Sequence, residues 1–219
     1  MAGDYTRQIP RRGFALAMAA TILMMAAASA PSLFYPQIAE QLGLVPVATT
    51  LVFAVYPFPL LAALLSLGPL SDHIGRRPVV TAGSLALALS LAMFWFADSL
   101  ATLLVARALQ GLAAGLLIPA LSAMMIDFEP PSHPNIAALW NTIGPMIGLG
   151  TGALGAALLL DLTPEPTAAV FGPLVLAFLT VAATVWSTPE LVPKTRIRRG
   201  DLRPRFMVPL HLRLSLIHI

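Results

Sequence analysis

The chain contains no cysteine at all. Disulfide cross-links and thiolate catalysis are therefore excluded, and the redox compartment is left open. Charge is scarce as well. Asp, Glu, Lys and Arg make up 11% of the 219 residues, where a soluble domain carries about a quarter. The four histidines, His73, His133, His211 and His218, form no pair at metal-binding spacing. No Asp or Glu lies in the middle of any long apolar run. Without a thiol, a metal cluster or a buried acid pair, nothing resembles an enzyme site. No catalytic residue, metal ligand or cofactor is expected.

What the chain has is apolar length. Hydrophobic residues account for 58% of it and the mean hydropathy is +0.82. Six runs approach or exceed the ~20 residues that cross a bilayer core: 13–34, 47–67, 78–97, 100–125, 136–160 and 167–186. The expected fold class is an all-α membrane protein, a bundle of six transmembrane helices. A cleaved secretory signal competes for the first run, since Ala28-Ser29-Ala30 follows a basic start and an apolar core. The length of the run, Pro31 after the site and the spans that follow favour an uncut helix. Met18, Met24 and Met25 read as apolar filler, and Phe94, Trp95 and Phe96 as an interfacial aromatic anchor.

The bases set the topology. Arg7, Arg11, Arg12, Arg76, Arg77 and the linker residues Lys194, Arg196, Arg198, Arg199, Arg203 and Arg205 all fall in segments on one side. The opposite loops hold Glu40, Asp98, Asp161 and Glu165 and no Lys or Arg. The positive-inside rule then predicts a cytoplasmic N-terminus in a cell (plasma or inner) membrane. A pI near 10 and a net charge of +3 thus reflect topology rather than a nucleic-acid partner. The expected domains are a cytoplasmic tail over 1–12, the bundle over 13–187, a basic linker over 188–205 and a final segment over 206–219.

The chain is organised around Gly68–Pro78, GPLSDHIGRRP, a polar elbow between two apolar runs. Gly68 and Pro69 stop the second span, Gly75 permits a sharp turn, and Pro78 suits the first position of the next helix. Asp72 then faces Arg76 and Arg77. On the fourth span, Arg107 lies about 10 Å along the helix. A cation there costs at least ~2.5–3.5 kcal/mol, so it needs a cavity or a partner unless it snorkels to the interface. Gly111 and Gly115 follow on nearly the same face, and Gly144, Gly148 and Gly152 on the fifth span repeat every four residues; both sets admit a close neighbouring helix. Pro57 and Pro59 should kink the second span, and Pro145 the fifth. Tyr56, Gln110, Asn141 and Thr142 are the polar candidates for a substrate cavity.

The elbow, as GxLxDxxGRRP, resembles the signature loop between the second and third spans of the major facilitator superfamily. Phe34–Val45 (FYPQIAEQLGLV) is similar to the first outer loop of its drug-exporter branches. Arg107–Gly111 resembles the family's R-x-x-x-G motif, Gly144–Gly148 its G-P-x-x-G motif, and Thr188–Leu191 the Pro-Glu motif after the sixth span. The resemblance covers roughly 14–208 and implies the N-terminal half of a transporter working by alternating access. It implies that Gly68, Asp72, Gly75, Arg76 and Arg77 form a cytoplasmic gating latch. It implies that Arg107 with Gln110, Gly111 and Gly115 serves proton transfer or substrate contact. It implies that Gly144, Pro145, Gly148 and Gly152 mark an antiporter. Departures are the prolines beside Tyr56, Trp140 where the family has a glycine, a loop 127–135 without bases, and no acid in the first span.

The function expected is proton-coupled efflux of small amphipathic or drug-like molecules, with the bilayer and a missing C-terminal half as partners. The alternatives are uptake of a sugar, organic acid or other metabolite, and a non-transporting interaction or sensor module. Phe206–Leu210 looks like the opening of a seventh span. The last six residues, Leu214–Ile219, match the translation of a transposase-end sequencing adapter, so an interrupted reading frame is expected and no role falls to His211 or His218.

Overall fold

A computed structural model describes residues 2–191, with side chains from residue 12 onward. The side chains of Arg7 and Arg11, the linker bases from Lys194 to Arg205, the expected seventh-span opening at 206–210 and the tail to Ile219 lie outside the described residues.

The described residues form nine α-helices and no strand. In hydrocarbon every backbone polar group must find its partner within the segment, so long apolar runs become helices. Helix α1 is Ala2–Ser29, beginning ahead of the expected Gly13, and a 3₁₀ turn over Ala30–Leu33 ends the first span. Short α2, Tyr35–Gln41, occupies the first loop. The second span is two helices, α3 (Pro46–Val55) and α4 (Pro57–Leu67), divided at Tyr56. Pro57 and Pro59 lack the N–H groups that would bond to the preceding turn; Leu60 N–H still reaches the Tyr56 carbonyl, at 3.4 Å. Helix α5, Leu70–Ile74, fills the elbow. The remaining spans are α6 (Arg76–Trp95), α7 (Leu100–Asp127), α8 (Ile136–Leu162) and α9 (Pro166–Thr184). Six stretches are long and apolar enough to cross a membrane.

The fourth span is the hub. Helix α7 packs on α6, α4 and α1; α8 lies along α1, and α9 along α6. The seams are small-residue seams: Ala17, Ala20, Ala27, Ala106, Ala113 and Ala120 are all fully or nearly buried. This suits lipid, where close backbone approach and dispersion replace the hydrophobic effect as the cause of helix association. Ser90 Oγ donates to the Ala106 carbonyl at 2.8 Å across the α6–α7 seam. Ser90→Ala is expected to lower stability by about 0.5–1 kcal/mol, read as a lower Tm in detergent; an unchanged Tm would show the bond contributes nothing.

The second and fifth spans differ from the rest. They are 11% and 17% buried, against 56% for the fourth. Phe58, Leu61 and Leu65 on α4 and Met146, Leu154 and Leu158 on α8 stand exposed.

The two ends of the bundle carry different chemistry. Gly13 packs against Phe128, Arg76 pairs with Asp127, and Glu190 meets Gly75, so these residues share one end. Gln37, Gln41, Ala97 and Glu165 line a cavity of about 230 Å3 at the other. The aromatic triplet is split. Phe94 is a core residue stacked on Phe171 at 6.2 Å, whereas Phe96 is exposed against Trp95. A helix turns 100° per residue, so three consecutive rings cannot all face an interface.

Candidate functional site

The elbow is built from residues distant in sequence. Gly75 adopts φ 100° and ψ 160°, a conformation open essentially to glycine, and so reverses the chain directly into α6. The helix therefore starts at Arg76 rather than Pro78. Pro78 sits third, still within the first turn, where an N–H would have no helical partner. The orphan donors of that turn are answered by Glu190. Its Oε1 accepts from Arg76 N–H and its Oε2 from Arg77 N–H, both at 3.0 Å. A carboxylate there also meets the positive end of the helix dipole.

The expected arrangement of one acid facing two bases is corrected. Arg76 carries two acids: Nη1 pairs with Asp72, and Nε donates to Asp127 Oδ2 at 2.9 Å. Nη1 also donates to Ser71 Oγ at 2.8 Å. Arg77 makes no ion pair among the described residues, and its Nε is buried without an acceptor. Asp72 and Arg76 lie on α5 and α6, on either side of the Gly75 reversal that brings them together. One guanidinium thus ties the elbow to the end of the fourth span, while Glu190 ties it to the segment after the sixth.

Arg107 does not snorkel. It is 5% exposed, deep between the first, second and fourth spans. Nη1 donates to the Gln110 side-chain oxygen and, at 3.3 Å, to the Ala28 carbonyl; Gln110 Nε2 donates to the Ala27 carbonyl at 2.7 Å. Three rings surround the guanidinium, Tyr56 at 5.1 Å, Tyr35 at 5.5 Å and Phe53 at 5.8 Å. Each ring face offers negative potential to a cation. Gly111 and Gly115 seat the second span beside this cluster. A Cβ on Gly111 would strike the Tyr56 carbonyl, and one on Gly115 would lie 2.5 Å from Ala63 Cβ. The division between α3 and α4 is therefore held directly against the fourth span at Arg107.

The fifth-span glycines are unequal. Gly148 and Gly152 touch the α1 backbone at Ile22 and Ala26, and Ser29 Oγ donates to Leu149 O at 3.0 Å. At Gly144 a Cβ would meet nothing nearer than 3.8 Å, so packing does not require glycine there. Pro145 lies inside α8, which continues through it.

Of the cavity candidates, the structure joins Tyr56 and Gln110 to Arg107 and leaves the other two apart. Asn141 accepts from Ser122 Oγ at 2.8 Å, and Thr142 bonds its own helix at the Ala138 carbonyl. Asp127, Tyr35 and Phe53 were missed as site residues. Nothing in their local spacing marks them, although Tyr35 sits in the exporter-like loop and Glu190 in the Pro-Glu motif.

A family model described as the Major Facilitator Superfamily matches residues 17–217. The multidrug efflux pump LfrA of Mycolicibacterium smegmatis is 32% identical over an alignment covering 83% of this chain and 42% of that protein. Multidrug resistance protein MdtL of Shewanella sp. is 30% identical over 64% of this chain and 36% of its own length. Puromycin resistance protein pur8 of Streptomyces alboniger is 28% identical over 66% of this chain and 30% of its own. The chain thus spans less than half the length of these relatives.

Proposed function

Because this chain belongs to the Major Facilitator Superfamily, we propose that it forms the six-span half of a transporter that exports small amphipathic molecules, coupled to protons, by alternating access. The observation that carries the reading is the clasp at the elbow. Asp72, Asp127 and Glu190 converge from three parts of the chain on Arg76 and the first turn of α6. Such a cluster can hold one end of the bundle shut and release it by exchanging partners. Similarity to relatives named for multidrug efflux favours export over uptake. The exposed faces of the second and fifth spans are where a second helical bundle would close on this one. The basic end of the bundle, with Arg12, Arg76 and Arg77, faces the cytoplasm, which follows the positive-inside rule.

No step makes or breaks a covalent bond; the work is relocation of a binding cavity. The test is full-length protein in vesicles with an imposed pH gradient, loaded in turn with carboxyfluorescein (anionic), Nile red (neutral) and rhodamine 6G (cationic). At least one dye is expected to move, to stop when the gradient is collapsed, and to slow by about tenfold or more in Arg76→Ala, which removes both ion pairs of a partly buried network. Failure of all three dyes to move would overturn the transport reading.

A further inference from the structure

The cavity of about 230 Å3 at the end opposite the elbow lies where three parts of the chain meet. Gln37 and Gln41 come from α2, Trp95 from the end of α6, and Glu165 and Thr167 from the start of α9. Four residues apart, the two glutamines share one face of their helix. Glu165 stands before α9 without capping it through its side chain. Its carboxylate and both glutamine amides are exposed, with no hydrogen-bond or ion-pair partner among the described residues. No wall residue is basic, and none comes from the uncovered second and fifth spans.

A carboxylate only accepts hydrogen bonds, and each glutamine adds an oxygen acceptor beside its NH2 donors. Acceptors sharing one cavity without a base suit a positive ligand rich in N–H groups, and a primary ammonium carries three. Among the described residues no three His, Asp or Glu gather into a metal site, and one carboxylate alone suits an organic cation better than a divalent metal. The surrounding field has the same sign. Glu40, Asp98 and Asp161 lie at this end, whose loops hold no Lys or Arg, and such a surface concentrates cations. Trp95 and Ile38 offer contacts to an apolar body. The volume falls below the ~300–1,000 Å3 of ordinary small-molecule pockets, which limits that body to about one ring.

The geometry points to this cavity as a binding site for a small primary ammonium with an apolar or aromatic body, held by Glu165, Gln37 and Gln41. The inference stands on the fold and goes beyond the transport reading. Free amines and ethanolamine headgroups of lipids share this chemistry, and the test separates them.

Full-length protein in phosphatidylcholine nanodiscs is titrated with para-fluorobenzylammonium, para-fluorobenzyl alcohol and para-fluorobenzoate. Binding is followed by fluorine NMR line broadening, with empty nanodiscs as the blank. The ammonium is expected to bind at least about fivefold more tightly than the alcohol, and the benzoate most weakly. Glu165→Gln alters an exposed side chain and keeps its shape, so the fold is retained. It is expected to weaken the ammonium about fivefold while changing the alcohol less than about twofold. Asp161→Asn removes an equal charge from the same end but outside the cavity, and is expected to change the ammonium less than about twofold. Equal binding of the three probes overturns the site, and is the result expected if a lysine elsewhere in the full-length protein already fills it. An ammonium preference that survives Glu165→Gln also overturns it. So do equal losses in Glu165→Gln and Asp161→Asn, which would report the general field and not a cavity. Adding phosphatidylethanolamine to the nanodiscs weakens the probe if the headgroup is the occupant and leaves it unchanged if the occupant is a free amine. Because binding is read without flux, the ammonium site and the transport reading stand or fall separately.

Discussion

Leucine in place of Gly148 is expected to force the first and fifth spans apart and to give the largest loss of stability of any single change in the bundle. A Cβ at this position would strike the Ile22 carbonyl oxygen and lie 2.6 Å from Met25 Cβ. Four residues on, a Cβ at Gly152 would meet the Ala26 Cα and carbonyl oxygen, with Ser29 Oγ at 2.5 Å. Overpacking a core ordinarily costs about 1–3 kcal/mol, because side chains leave their rotamers to make room. Here the obstacle is backbone, which has no rotamer to change, so the cost should reach about 3 kcal/mol or more. The same displacement would break the Ser29 bond to Leu149. Gly150 and Gly155 on the same helix supply the control, since a Cβ at either meets nothing within 4 Å. Melting in detergent should drop sharply for Gly148→Leu and Gly152→Leu and hardly at all for Gly150→Leu. Equal melting of Gly148→Leu and Gly150→Leu would contradict the seam.

The second large effect lies at the elbow, where Gly75→Val should do two kinds of damage. The native backbone conformation is strained for any side chain, at about 1–3 kcal/mol. The new Cβ would also lie 2.6 Å from Glu190 Oε2, expelling the carboxylate that caps α6. Loss of a cap costs about 0.5–2 kcal/mol. Glu190→Ala alone should therefore be destabilising, yet nearly silent when added to Gly75→Val, because the cap is already gone. A double-mutant cycle on Tm measures that coupling. Strictly additive losses would mean that Glu190 does not cap the helix through the space beside Gly75. The same variants should slow dye movement in vesicles, since the clasp loses its hold on the segment after the sixth span.

Much of the architecture was legible in the chain. Each apolar run became helical, though the first helix starts at Ala2, well ahead of Gly13, and the second is divided at Tyr56, because nothing but a helix satisfies a lone backbone segment in hydrocarbon. Gly68-Pro69, Gly75 and the Asp98-Ser99 turn were equally clear, as local steric and capping chemistry sets them; Ser99 Oγ accepts Thr102 N–H at 3.2 Å at the start of α7. Prolines 57 and 59 correctly marked an interruption in the second span. The position of Pro78 misled, since a nearby acceptor supplied from 114 residues away let the helix begin at Arg76.

The candidate site was legible only in part. Arg107, Gln110, Gly111 and Gly115 stand out because a cation and small residues are rare in an apolar helix. Their partners do not stand out. Asp127 lies 51 residues from the arginine it binds, and Tyr35 and Phe53 are ordinary aromatic residues until they close over Arg107.

By itself the sequence determined the six stretches long and apolar enough to cross a membrane among the described residues, the elbow and the rarity that singles out Arg107. Only the tertiary structure decided which faces meet: that Arg76 takes two acids and Arg77 none among the described residues, that Gly148 needs to be glycine and Gly144 does not, and that the second and fifth spans stay uncovered. The reason is that a helix for lipid is apolar all round and carries no stripe to distinguish inside from outside. Its rotation is fixed instead by close backbone contacts and a few polar pairs, and these exist only once the helices have come together.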